Sequence, residues 1–324
     1  MQKGFVGVDI GGTNTVIGLF DQELALLEKR SIPTLKPNFP KKTDNPKEFF
    51  DVLTQEIQAV IAKHDVINKI ECVGIGVPGK VDPENGIAIN AVNLGYQNVP
   101  FADEMERRLN IPTFIDNDVR TYTRGEAVAG AGAGLQNVIC ITLGTGMAAG
   151  IMIDGQMIAG SDYFAGEMGH DPVPGNEALC NCGNIGCLET IASASGISRL
   201  AKEAIQSGKT TILKDVAGEI SSKDVYEASV KGDQVAIGVF KEVATVLGFK
   251  LLSATYLVNP EVIIIGGGAA AAGHFLTDPI KEIFIKYYIN EKQPLIVTGE
   301  LGDSAGLIGA ASLASAKKKE MKNA

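Results

Sequence analysis

No run of apolar residues in this sequence approaches the roughly 20 needed to cross a bilayer, so a helical membrane protein is excluded. Met1-Gln2-Lys3 leads directly into a strand-like stretch, so no export signal is read and a cytoplasmic location is expected. Basic charge is in the minority: 29 Lys and Arg face 38 Asp and Glu, for a formal net charge of −9. Affinity for a phosphate backbone depends on clustered Lys and Arg, so nucleic acid is not an expected partner. The one basic cluster, Lys317-Lys318-Lys319 with Lys322, is interrupted by Glu320 and reads as a solvated helix end. The five cysteines are odd in number, and Cys180, Cys182 and Cys187 lie too close together for a disulfide framework. Neither GxxxxGK[ST] nor a GxGxxG turn after the first strand occurs, which removes support for P-loop and Rossmann readings. No short-period repeat is present, so a solenoid is not expected.

The sequence does have the length for two lobes, since 324 residues exceed a core that stops growing near roughly 250 to 300. Hydrophobic residues at 45% and charged residues at 21% are ordinary for a soluble globular protein, and 38 glycines imply many tight turns. Gly4 to Ile10 reads as a strand, Gly11-Gly12-Thr13-Asn14-Thr15 as a turn, and Val16 to Phe20 as the returning strand. Asn45-Pro46 with Glu48 marks a helix start, followed by Phe49, Leu53, Ile57, Val60 and Ile61 at helical spacing toward His64. Cys72 to Val77 is an apolar strand ending at Pro78-Gly79, and the turn-rich segment from Asp82 to Tyr96 is expected to be a loop.

Thr113 to Asp116 reads as a strand end, with Asn117-Asp118 opening a helical stretch through Ala127. The small residues from Ala129 to Gly134 close it, and the crossing between lobes is placed around here. Residues 1–118 with 304–324 are assigned to a small lobe completed by the C-terminal helix, and 119–303 to a larger one. Val138 to Leu143, the turn Gly144-Thr145-Gly146, and a strand ending at Asp154-Gly155 repeat the opening hairpin. Helices are predicted over Ser193 to Ser207 and Asp233 to Leu257, a strand over Val262 to Ile265, and a small-residue helix over Ala305 to Ala314. Strands alternating with helices give an α/β protein on a duplicated plan, with a cleft between its halves. Cys72 and Cys140 fall in apolar runs and are read as small buried hydrophobes.

Glycines in a turn let consecutive N–H groups face an anion, and threonine adds a hydroxyl donor. Asp9-Ile10-Gly11-Gly12-Thr13 and Leu143-Gly144-Thr145-Gly146 both have this chemistry. Gly266-Gly267-Gly268 follows a fully apolar strand, where a flat adenine or ribose could lie against the backbone. The most specific signal is His170 with Cys180, Cys182 and Cys187. Three thiolates and one imidazole fill a tetrahedral zinc, leaving no open position for catalytic water, so the zinc is expected to be structural. Such a knot would fix Glu167 and Glu189, which suit sugar hydroxyls.

Asp9-Ile10-Gly11-Gly12-Thr13, Pro78-Gly79, Asn117-Asp118, Leu143-Gly144-Thr145-Gly146, Glu167-Met168-Gly169-His170, Cys180-Asn181-Cys182-Gly183, Gly186-Cys187-Leu188-Glu189 and Gly266-Gly267-Gly268 follow one another in this order. Together they resemble the ROK family of sugar kinases and repressors over nearly the whole chain. The departures are Ala148-Ala149, where members often carry another glycine, and Arg120, where small or amide residues are common.

The resemblance implies a two-lobed actin-like ATPase (ribonuclease-H-like) fold with a zinc-binding loop. It implies ATP, Mg²⁺ and structural Zn²⁺, with Asp118 as the general base and a sugar against Gly79, Asn117, Asp118, Glu167, His170 and Glu189. Asp9, Gly11, Gly12, Thr13, Gly144, Thr145, Gly146, Gly266, Gly267 and Gly268 would take the nucleotide, Asp9 facing Mg²⁺ through water. His170 would ligate zinc through one ring nitrogen and meet a sugar hydroxyl through the other, whereas His64 and a loop-borne His274 are surface residues. The glucokinase branch is the first choice, with fructose, mannose, N-acetylmannosamine and N-acetylglucosamine as alternatives. A repressor would need a helix-turn-helix ahead of Gly4, where there is no room, and a non-catalytic sugar-binding protein would not need Asp118. A homodimer or homotetramer is expected from relatives.

Overall fold

The computed structural model describes residues 2–35, 46–64, 67–91 and 94–323. They form two compact units, the first comprising residues 1–134, 159–164 and 303–324, the second 135–158 and 165–302. Among the described residues no helix is long and apolar enough to cross a membrane.

In chain order the first unit contains β1 (Gln2–Ile10), β2 (Asn14–Phe20), β3 (Leu26–Pro33), α1 (Lys47–Ala62), β4 (Ile67–Val77), β5 (Lys80–Asp82), β6 (Ile87–Ala91), β7 (Tyr96–Val99), α2 (Phe101–Leu109), β8 (Thr113–Asn117) and α3 (Asp118–Ala129). Its main sheet runs β3-β2-β1-β4-β8. β1 and β2 pair antiparallel with Ile10 opposite Thr15, and β4 and β8 add parallel. In α1 the predicted helical spacing is observed, burying Phe49, Phe50, Leu53, Ile57 and Val60 on one face. The expected start at Asn45 lies outside the described residues.

The Asp82 to Tyr96 segment is not the expected loop. β5, β6 and β7 form a three-stranded sheet, with Pro83, Asn85 and Gly86 in the turn between β5 and β6. Asp82 Oδ1 accepts from the backbone N–H groups of Glu84 and Asn85, each at 3.0 Å, and closes the first tip. Val81, Ala88, Ala91, Tyr96 and Val99 are buried from this sheet. Short strands with one buried residue in two are hard to separate from loops when every tip is rich in Gly, Asn and Pro. Residues 92 and 93 lie outside the described residues.

The second unit contains β9 (Val138–Leu143), β10 (Met147–Ile153), β11 (Gln156–Met157), α4 (Ala194–Gln206), α5 (Ser222–Val230), α6 (Gln234–Val258), β12 (Val262–Gly266), α7 (His274–Tyr287) and β13 (Leu295–Thr298). Its sheet runs β11-β10-β9-β12-β13, the same order of antiparallel and parallel neighbours as in the first unit. The duplicated plan is therefore present strand for strand. Asp154 at φ 49° and Gly155 at φ 73° make the tight turn read from the sequence. His274 is exposed as expected, but it begins α7 instead of lying in a loop.

The chain ends in α8 (Ala305–Asn323), longer than the helix predicted to Ala314. Its small residues have a packing reason. A Cβ on Gly74 of β4 would fall 1.9 Å from the Ala310 carbonyl oxygen, and one on Gly309 would fall 1.7 Å from that of Thr121. β4, α8 and α3 thus touch backbone to backbone, at a distance that no larger side chain allows. This layer moves the boundary expected at residue 118. α3 is bound to the first unit through α8, and the division falls at Gly134, the end of the small-residue stretch.

Candidate active site and metal centre

In the first unit, Asp9 and the Gly11-Gly12-Thr13 turn stand at the end of β1. Gly12 and Thr13 are exposed, and Gly11 N–H donates to the Asn14 carbonyl at 2.9 Å. Thr34 pins the turn from β3's side: its hydroxyl donates to the Gly11 carbonyl at 2.8 Å and its N–H to that of Thr13 at 2.8 Å. Burial raises the pKa of Asp9 to about 6, with the Asp303 charge adding to the rise and Lys29 opposing it. A Cβ on Gly306 would lie 2.4 Å from Asp9 Oδ2, so the start of α8 closes on this carboxylate. Sequence reasoning missed Asp303 and Gly306, although a Gly-Asp-Ser-Ala-Gly stretch heading a small-residue helix is a usable signal.

Asp118 is the first residue of α3. The cap of that helix is Asn117, whose side-chain oxygen accepts from Val119 N–H at 2.9 Å and Arg120 N–H at 3.1 Å. Asp118 is therefore not spent as the N-cap. The Asn117 amide nitrogen donates to the Gly79 carbonyl and to Asp118 Oδ1, both at 2.9 Å. All four hydrogen-bonding positions of the Asn117 side chain are thus engaged, two capping α3 and two tying Asp118 to Gly79. Gly79 has φ +90°, and a Cβ there would lie 2.2 Å from the Asn90 carbonyl oxygen, so only glycine fits.

In the second unit, the Gly144-Thr145-Gly146 turn is gripped by the start of α4. Ala194 N–H donates to the Gly144 carbonyl at 2.8 Å, and the Ser195 hydroxyl donates to that of Thr145 at 2.6 Å. Gly267, at φ +79°, is pressed onto Leu143, whose backbone atoms a Cβ would approach to 2.7 Å. The Gly266–Gly268 segment and the Gly144–Gly146 turn, far apart in sequence, are therefore neighbours. Gly268 has open space in place of a side chain.

The metal cluster lies against the same turn. Glu167, Met168, Gly169 and His170 run along β10, with Ala149 N–H donating to the Gly166 carbonyl at 2.8 Å. His170 Nδ1 lies 3.8 Å from Cys180 Sγ, and Cys182 Sγ lies 3.7 Å from Cys187 Sγ. A tetrahedral zinc with sulfur ligands has edges of about 3.8 Å. The four ligand atoms all fall within 4.8 Å of one another, so the group fits such an ion without rearranging the backbone.

Cys182 N–H donates to Cys180 Sγ at 3.4 Å. The Asn184 backbone N–H holds the Cys182 thiol below its usual range, while burial first and Glu189 second push Cys180 up. Asn176 braces the loop, its amide donating to Thr190 Oγ1 at 2.8 Å and to the Cys187 carbonyl at 3.3 Å. Sequence reasoning missed Asn176 and Arg199, whose Nη2 donates to the Thr190 carbonyl at 2.9 Å.

Glu189 joins the metal cluster to the phosphate-type turn. Oε1 accepts from Cys180 Sγ at 2.7 Å, and Oε2 accepts from Met147 N–H at 3.4 Å. The other nitrogen of His170, Nε2, faces Glu167 Oε2 at 3.8 Å, which leaves Nδ1 as the metal-side atom. Each expected second-unit residue is thus in one neighbourhood, while in the first unit Gly79, Asn117 and Asp118 form one contact group and Asp9 stands beside the Gly11–Thr13 turn at the end of β1.

Twin sheets of one topology, each with a glycine turn at the tip of its antiparallel hairpin, and a carboxylate presented at a helix start define a phosphotransferase of the actin-like ATPase type. The chain belongs to the ROK family, whose pattern it matches over residues 5–317. It is 34% identical to the glucokinase of Halalkalibacterium halodurans, over 98% of this chain and 97% of that one. The crystal structure of a ROK family glucokinase from Streptomyces griseus in complex with glucose and AMPPNP superposes with a TM-score of 0.79. That pair is 33% identical, over 96% of this chain and 99% of the other. The xylose repressor of Caldicellulosiruptor bescii is 32% identical, over 73% of this chain and 60% of the repressor.

Proposed function

We propose that this protein transfers the γ-phosphoryl group of ATP to a hexose, glucose in the first place, with Asp118 as general base. The observation that carries the assignment is the state of the Asn117-Asp118 pair. Asn117 does the capping, and its amide together with the Val119 backbone N–H, each at 2.9 Å, fixes Asp118 Oδ1 in place at the start of α3. In the reaction the sugar hydroxyl attacks the γ-phosphorus and its proton passes to an Asp118 oxygen. A positioned carboxylate contributes about 10²- to 10⁴-fold in such a step.

The Gly11–Thr13 and Gly144–Gly146 turns would hold phosphates through their N–H groups, and the Gly266–Gly268 segment would take the adenosine. Glu167, His170 and Glu189 would receive sugar hydroxyls. Asp9 would hold Mg²⁺ through water, and the chemistry such an ion supplies is neutralisation of phosphate charge. His170, Cys180, Cys182 and Cys187 would hold a structural zinc, which supplies four bonds that fix the loop bearing Glu189. The similarity to the glucokinases supports glucose over fructose, mannose and the N-acetylhexosamines. A homodimer or homotetramer belongs to the same proposal, supported by the exposed Leu257 and Ile289 of the second unit, each 88% accessible.

The test is Asp118→Asn, assayed by ADP release across these sugars. Turnover is expected to fall by at least about 10²-fold while calorimetry still detects glucose binding. Retained turnover removes Asp118 as the base. Glucose binding by the unaltered protein without any ADP release would make the chain a non-catalytic sugar receptor.

A further inference from the structure

We infer that Arg120 is a positioning residue for the phosphotransfer base, a role that rests on the assignment of Asp118 above. Arg120 is 3% exposed and Asp116 5%, so their charges meet inside the first unit. Nε donates to Asp116 Oδ1 at 2.5 Å, and Nη2 donates to the Val81 carbonyl at 3.3 Å. The location is unfavourable on two counts. A cation in the first turn of a helix opposes the helix dipole, and a buried guanidinium loses its hydration.

What the residue does there follows from its partners. Asp116 Oδ1, the atom held by Arg120, also accepts the backbone N–H of Asn117 at 2.7 Å. Val81, the other partner, lies two residues beyond Gly79, whose carbonyl receives the Asn117 side chain. One guanidinium therefore fixes both supports of Asn117, its own peptide through Asp116 and the Gly79 segment through Val81. Asn117 in turn holds Asp118 Oδ1 at 2.9 Å. Without Arg120 the buried Asp116 carboxylate loses the cation hydrogen-bonded to it, keeps only the through-space attraction of Arg124, and draws in water or turns. The peptide that aims Asn117 and Asp118 then shifts. Lysine cannot replace it, because a single ammonium lacks the planar fork that serves a carboxylate and a carbonyl in different directions.

The experiment compares Arg120→Gln, Arg120→Lys and the double variant Asp116→Asn/Arg120→Gln in the full chain. Rates are expressed per folded molecule, and glucose affinity is measured separately. Arg120→Gln is expected to lower kcat by about tenfold or more while the glucose Kd changes by less than about threefold. Arg120→Lys should fall between it and the unaltered protein. The double variant restores a neutral hydrogen-bonded pair and should recover much of kcat, since the amide oxygen introduced in place of the Asp116 carboxylate still accepts the Asn117 N–H.

A reduced melting temperature with unchanged kcat per folded molecule overturns the inference and leaves Arg120 a stability residue only. A double variant no better than Arg120→Gln also counts against it. Should Arg120→Gln fail to fold, the Lys and double variants carry the same comparison. If Asp118→Asn is inactive while Arg120→Gln turns over normally, only this inference fails. If Asp118→Asn remains active, the base assignment fails first.

Discussion

Asp9 carries the clearest electrostatic cost at the scale of single residues. Its carboxyl has a pKa of about 6 in the folded protein against 3.8 ordinarily, chiefly through burial. Between those values the folded state binds more protons than the unfolded chain. Stability from this group is thus complete below about pH 4 and is lost as pH rises through about 6, where it reaches a deficit on the order of 1–3 kcal/mol. Asp9→Asn should therefore melt higher than the unaltered protein at pH 7.5 without nucleotide, and the difference should shrink by pH 5. Equal differences at both pH values in thermal melts would contradict the burial account. Asp9, Asp118 and the glycine turns were legible in the sequence because each belongs to a short contiguous motif. The engagement of Asn117 with Gly79 was not, since the partners are 38 positions apart and meet only when β5 folds against β8. Arg120 stood out as a departure from pattern, but its partner at Val81 is equally remote in sequence.

The metal loop is the element whose behaviour separates a zinc knot from buried thiols. Cys182 is exposed, and in a metal-free loop its replacement would be a surface change worth within about 0.5 kcal/mol. With a four-ligand ion in place, Cys182→Ser should cost at least about 2 kcal/mol, because metal binding is part of the folding free energy. Elemental analysis is expected to give about one zinc per chain of active protein. Unchanged melting together with no bound metal would remove the knot. This element could be read in advance because its three cysteines and its tight turns lie within one short span. The three-stranded sheet of β5, β6 and β7 could not, because its strands are brief and its signals are those of a loop.

For the whole molecule, the echo of one glycine-tipped hairpin by another correctly announced a duplicated sheet, but the boundary between units was set by packing that the hairpins do not encode. The first unit's core gathers residues from Val6 to Ile115, and the second's gathers residues from Ile139 to Ile296. Each is large enough to melt cooperatively by itself. Scanning calorimetry without ligand should therefore give a calorimetric enthalpy different from the van't Hoff value, whereas a strictly two-state transition would mean the cores unfold as one.

The glycine-mediated contact of α8 with β4 and α3 also sets an order of events during synthesis. Residues 303–324 complete the layer beneath strands that are synthesised well before them. As the ribosome advances, the later-encoded unit has its whole sequence first, while the earlier-encoded one waits with an uncovered sheet face. The part of the chain bearing the proposed base thus matures after the unit encoded between its two halves, and it has to wait until α8 leaves the ribosome.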